Sequence, residues 1–129
     1  MPKTPAEKLG IKAGDSLAVH NPPDRRLSVL GPLPDGVILQ EPPDISTADV
    51  VVLFTADARQ LHDDAPAILV AASHAAKVWI AYPKGGASDL SRDTLMPAFT
   101  GIGWQGVSLV SLDTRWSAAR FRRLDQIGR

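Results

Sequence analysis

The stretch Tyr82-Pro83-Lys84-Gly85-Gly86-Ala87-Ser88-Asp89-Leu90-Ser91-Arg92-Asp93 gathers a lysine, an arginine, a glycine pair and a helix start. A phosphate or carboxylate needs positive charge and N–H donors that converge on it. Lys84 and Arg92 supply the charge. Gly85 and Gly86 let the backbone come close, and a helix start adds free N–H groups and the positive end of a dipole. Tyr82 offers a hydroxyl at the end of the preceding apolar run. The plainer reading of the same residues is a polar turn, with Asp89 as a helix cap and Lys84 in solvent.

A second polar knot, Asp113-Thr114-Arg115-Trp116-Ser117, lies between apolar runs. Trp116 could stack on a planar ligand or a partner, with Asp113 and Arg115 as polar contacts. The alternative is a tryptophan that plugs a sheet edge. Trp79 reads as core, and Trp104, after a glycine turn, as surface or edge.

Metal and nucleophile chemistry find little support. The chain has no cysteine, and its three histidines, His20, His62 and His74, lack ligand spacing on one helix face. His62-Asp63-Asp64 reads as a solvated helix surface. No G-x-S-x-G elbow is present. His20, at a strand end, is the histidine kept as a weak acid–base candidate.

These residues need elements to position them. Residues 6–9 predict a helical turn stopped by Gly10. Residues 16–20 and 37–40 predict short strands, each closed by prolines that cannot donate to a ladder. Asp24 is placed to cap a brief helix over 25–30. Val50-Val51-Val52-Leu53-Phe54 is β-branched and continuously apolar, as in a strand covered on both faces. A helix follows over 56–72, split at Pro66. Residues 77–82 form the next strand. A helix over 91–100 comes after it, capped by Ser88 or Asp89 and ended or kinked at Pro97. Residues 107–112 predict a strand. The segment 117–124 predicts its partner, although its alanines and arginines would also suit a helix.

Strands alternating with helices imply an α/β fold. The expected form is a shortened Rossmann-like three-layer sandwich with a mostly parallel sheet and a C-terminal antiparallel strand pair. In such sheets ligands bind beyond the carboxyl ends of the strands. The first of those ends reads His20-Asn21-Pro22-Pro23 in place of a glycine-rich phosphate turn. That argues against a conventional nicotinamide cofactor. Asn21 remains a ligand candidate there. Glu41 stands where an acidic residue could hold a ribose hydroxyl, or is simply solvated before Pro42-Pro43.

Several segments carry a resemblance. Ala13-Gly14-Asp15, Ala48-Asp49-Val50-Val51-Val52-Leu53-Phe54, Trp79-Ile80-Ala81-Tyr82-Pro83-Lys84, Asp89-Leu90-Ser91-Arg92-Asp93 and Trp116-Ser117-Ala118-Ala119-Arg120-Phe121 together resemble a family of small bacterial domains of unknown function. The layout also resembles the core of S-adenosylmethionine-dependent methyltransferases, which end in a similar strand hairpin. That resemblance implies a Rossmann-like fold and makes a divergent methyltransferase the alternative function. The sequence departs from it at Asn21-Pro22-Pro23 and in its very short first helix.

Bulk properties fit one globular domain. The chain has 129 residues, 44% hydrophobic and 22% charged, with a formal net charge of +0. Neutrality argues against nonspecific nucleic-acid binding. The charge is uneven, with an acidic first half and a basic second half that includes Arg115, Arg120, Arg122, Arg123 and Arg129. Either the halves attract each other, or the arginines form an anion-binding face. The N-terminus lacks the apolar run of a signal peptide, and no stretch is long and apolar enough to span a membrane, so the cytoplasm is expected. The functional expectation is a module that binds a small anionic ligand or an acidic protein partner. No cofactor is specified.

Overall fold

The computed structural model describes residues 4–23, 28–40, 47–72, 77–84 and 88–126. Its centre is a mixed six-stranded sheet in the order β2-β1-β3-β4-β6-β5. The strands are β1 (Ser16–His20), β2 (Ile38–Leu39), β3 (Val50–Phe54), β4 (Lys77–Pro83), β5 (Trp104–Ser111) and β6 (Trp116–Arg123). The first four are parallel, and β6 runs antiparallel between β4 and β5. The segment that also suited a helix is therefore a strand. Its alternation decides: Ala119 and Phe121 point to one apolar cluster and Ala118 to the other. The second strand is shorter than expected, two residues at a sheet edge.

The expected opening turn is present as α1 (Pro5–Lys8), with a reciprocal cap between Thr4 and Glu7. Ile11 N–H donates to Ala6 O and Gly10 N–H to Glu7 O. Gly10 adopts φ +75°, so the helix ends in a Schellman motif that only glycine enters easily.

The long helix, α2 (Ala58–Ala71), runs unbroken through Pro66, which corrects the expected split. An interior proline costs about 3 kcal/mol. Leu61, Ala65, Ile68 and Leu69 form one buried stripe, and burying each large aliphatic side chain stabilises by about 1.5–3 kcal/mol. Packing thus outweighs the local penalty. The expected helix over 91–100 is corrected too. Only α3 (Arg92–Leu95) is α-helical, followed by turns and a 3-10 turn over Thr100–Ile102. Ser91 is its cap, while Asp89 instead accepts from Ala58 N–H at 2.8 Å, at the start of α2. The cap proposed for Asp24 lies outside the described residues; Ser28–Leu30 is a 3-10 turn.

Two apolar clusters cover opposite faces of the sheet. Val51, Leu53, Val78, Ile80 and Phe121 face α2, Leu95 and Phe99. Val50, Val52, Phe54, Trp79 and Ala118 face Leu9 of the α1 cap, together with Val29 and Leu30. Trp79 is core as expected, and its Nε1–H donates to Leu9 O at 2.9 Å. Trp104 is buried rather than at the surface, because its strand begins three residues before the predicted 107 and carries it into the first cluster. The edge of β5 is shielded: Trp104 and Gly106 donate outward to Phe99 O and Met96 O, and Ser111 O accepts from Lys8 Nζ. No helix among the described residues is long and apolar enough to cross a membrane.

Candidate functional site

The carboxyl end of β4 opens onto a groove of about 310 Å³ lined by Tyr82, Pro83, Lys84, Asp89, Arg92 and Ser117, with Ser88, Leu90 and Ser91 completing it. Two features of the chain build it. The antiparallel pairing Tyr82↔Ser117 and Pro83↔Trp116 brings the start of β6 beside the end of β4. The loop after β4 then returns to the sheet at Leu90, which is buried, and starts α3.

Lys84 is held from two sides. Its N–H donates to Arg115 O at 2.8 Å, and its Nζ donates to Ser111 Oγ. An ammonium has three protons, so this bond still leaves donors for a ligand. Arg92 is exposed at the first position of α3. Burial raises the Tyr82 hydroxyl above its ordinary pKa, against an opposing pull from Arg92. Tyr82 therefore stays protonated at neutral pH and serves as a donor. The expected dipole contribution is withdrawn. α3 has only four residues, and too few peptide units align there to build the field of a full helix.

The sequence-predicted candidates thus separate into groups. Tyr82, Lys84 and Arg92 share the groove. Asp113 closes the β5–β6 hairpin, where its Oδ1 accepts from Arg115 N–H and Trp116 N–H at 2.8 Å each. Trp116 packs edge-on against Phe54, with ring centroids 5.1 Å apart. It plugs the carboxyl end of an interior strand, not a sheet edge. Glu41, Gly85 and Gly86 lie outside the described residues. Sequence reading missed Ser88, Ser91 and Ser117 as groove hydroxyls and Ser111 as the partner of Lys84. No local signal marks them, since the Lys84–Ser111 contact joins positions 27 apart.

Asn21 stands apart, at the end of β1. It adopts φ 56° and its Nδ2 donates to Asp64 Oδ2 on α2 at 2.8 Å. Beside it, the Nε2 of His20 is buried without a hydrogen-bond partner. Burial lowers the His20 pKa, partly offset by Asp64. The unfolded chain then binds more protons than the folded one between that lowered value and about 6.5. Stability contributed here is complete above that window and is lost as pH falls through it. Urea unfolding of the wild type between neutral and mildly acidic pH is expected to show a loss that His20→Gln lacks. Parallel losses in both proteins would show that His20 does not contribute. Among the described residues no group of His, Asp or Glu could hold a metal ion.

The sheet order, with an antiparallel strand inserted beside the last parallel one, defines an α/β protein of methyltransferase-like fold. Among solved structures, the chain is similar to the ribosomal protein L11 methylase of Lactobacillus delbrueckii subsp. bulgaricus, with a TM-score of 0.50 and 16% identity. The similarity covers 92% of this chain but 65% of that one, so this chain spans less than two thirds of the methylase. At that identity the likeness concerns the fold. No family model matches the sequence and no curated protein is similar to it, so the expected membership of a small bacterial family gains no support from either comparison.

Proposed function

We propose that this protein is a shortened Rossmann-like module that binds a small anionic ligand, carrying a phosphate or carboxylate, in the groove between β4 and α3. The observation that carries the reading is the shared lining of Lys84, Arg92, Tyr82 and Ser117. Two cations and hydroxyl donors face one volume at the carboxyl end of a parallel strand, where ligands of such sheets bind. About 310 Å³ suits a small metabolite at the low end of known ligand sites. A protonated Tyr82 fits ligand binding by donation better than proton abstraction.

The test is thermal unfolding with inorganic phosphate and a panel of phosphorylated and carboxylated metabolites. A ligand at a hundred times its dissociation constant stabilises the native state by about 2.7 kcal/mol. Lys84→Ala and Arg92→Ala are each expected to weaken the responding ligand roughly tenfold or more, the usual effect of losing a charged hydrogen bond. Unchanged affinity in both variants would sink the groove as the site.

A second reading is a divergent S-adenosylmethionine-dependent methyltransferase, favoured by the similarity of fold to the L11 methylase. In that reading Asn21, Glu41 and Tyr82 are the residues assigned to the bound nucleoside. S-adenosylmethionine and S-adenosylhomocysteine belong in the same panel. A midpoint shift with either, abolished by Glu41→Ala but not by Lys84→Ala, selects this reading over the first.

A further inference from the structure

The face of the sheet that α1 covers is only partly roofed. Leu9, Ile11, Val29 and Leu30 pack over β1, β3 and β4. Beyond them β6 presents Arg120 and Arg122 on the same face, in register with Trp79 of β4 and with Ser108 and Gln105 of β5. Lys77, paired with Val50, also points to this side. Ser108, Gln105 and Arg122 are exposed, so among the described residues no helix covers this corner.

Arg120 is the unusual group. Its guanidinium carbon lies 5.9 Å from the centroid of the Trp79 ring, and its Nε is buried with no acceptor. Burial and the neighbouring charge of Arg122 both lower its pKa. No carboxylate among the described residues pairs with Arg120 or Lys77; Lys77 Nζ donates to the neutral carbonyl of Gly10 at 2.8 Å. A half-buried cation normally has a counter-charge, because desolvation without one costs free energy. For Arg120 the ring of Trp79 stands in place of that counter-charge, with Lys77 adding a second cation on the same face.

We propose that this Trp79–Arg120 face docks an acidic segment of a partner protein, with a carboxylate accepting from the Arg120 guanidinium and others lying in the positive field of Lys77. Charge complementarity identifies the occupant. A carboxylate matches the planar fork of arginine, and the polar rim of Ser108 and Gln105 can hydrogen-bond to an extended main chain. Nucleic acid fits less well. Trp79 is 4% exposed and offers no face for a base to stack on, and the chain as a whole has no net positive charge. The inference is independent of the β4–α3 groove, which shares none of these residues.

Fluorescence anisotropy with a labelled oligoglutamate peptide tests it, with oligoglutamine and oligothymidylate as comparison probes. Oligoglutamate is expected to bind more tightly than either, and more weakly as salt rises. Arg120→Met keeps the packing on Trp79 and removes the charge. It is expected to weaken oligoglutamate roughly tenfold or more while leaving the unbound protein as stable as, or more stable than, the wild type. A purely structural arginine would show the reverse. Arg59→Gln, exposed on α2 across the sheet, is the control that leaves affinity unchanged. If Arg120→Met fails to fold, Lys77→Gln takes its place and is expected to weaken binding in the same direction. Oligoglutamate binding no tighter than oligoglutamine, a preference for oligothymidylate, or affinity that survives the charge-removing variant would each overturn the proposal.

Discussion

Trp79→Ala is expected to lower the unfolding free energy by about 3–5 kcal/mol, the usual loss when a buried aromatic leaves a cavity. Trp79 is 4% exposed at the middle of β4, between Val52 of β3 and Arg120 of β6. Its indole N–H also satisfies Leu9 O at the end of α1, so truncation orphans a buried carbonyl as well. A chain of this size has a total stability of about 5–15 kcal/mol, so the variant stands near the edge of folding. Trp79→Phe separates the contributions. It keeps most of the ring and loses only the hydrogen bond, with an expected cost of about 1–3 kcal/mol. Urea denaturation of the three proteins measures both steps. A loss below about 1 kcal/mol for the alanine variant would mean that α1 and β4 are not coupled through this ring.

How far this arrangement could be read beforehand depends on which forces were local. Val50–Phe54 and Ser16–His20 were legible to the residue, because a short apolar run between turn residues has few other solutions. The C-terminal pair was legible only in part: residues 117–124 suited a helix as well as a strand, and the hairpin is closed by Asp113 bonds to two backbone N–H groups. Pro66 misled, since its penalty is local and the stripe that overrides it becomes visible only against the sheet. The helix over 91–100 misled for the opposite reason. The carbonyls of Met96 and Phe99 serve β5 instead, bonding Gly106 and Trp104.

The candidate groove was half legible. Lys84 and Arg92 stood out by type and spacing. Ser117 joined them only through strand pairing, which the spacing of residues along the chain does not encode. Asn21 stood out as a strand-end residue, yet its partner Asp64 is 43 positions away. Arg120 was visible as one of a basic set. Its contact with Trp79, which makes it unusual, needs the β4–β6 register.

The α3 segment depends on one residue with no side chain, and Gly106→Val is expected to cost about 1–3 kcal/mol. A Cβ at Gly106 would lie 2.5 Å from Met96 Sδ and 3.0 Å from Met96 Cα. The sulfur can swing away, but the Cα is backbone. It can retreat only by weakening the bond from Gly106 N–H to Met96 O, now 2.9 Å. That bond and the one from Trp104 N–H to Phe99 O fasten residues 96–103 to the edge of β5. Ser91 and Arg92 lead into the same segment, so its displacement reaches the groove. Gly106→Val should therefore lower both the urea midpoint and the affinity for an anion that responds in the thermal-unfolding panel. Gly101→Ala is the matched control, because a Cβ there meets nothing within 4 Å. Should Gly106→Val lose stability while anion affinity stays intact, the groove is positioned by Leu90 and the β4–β6 pairing alone, and α3 is not part of what holds it.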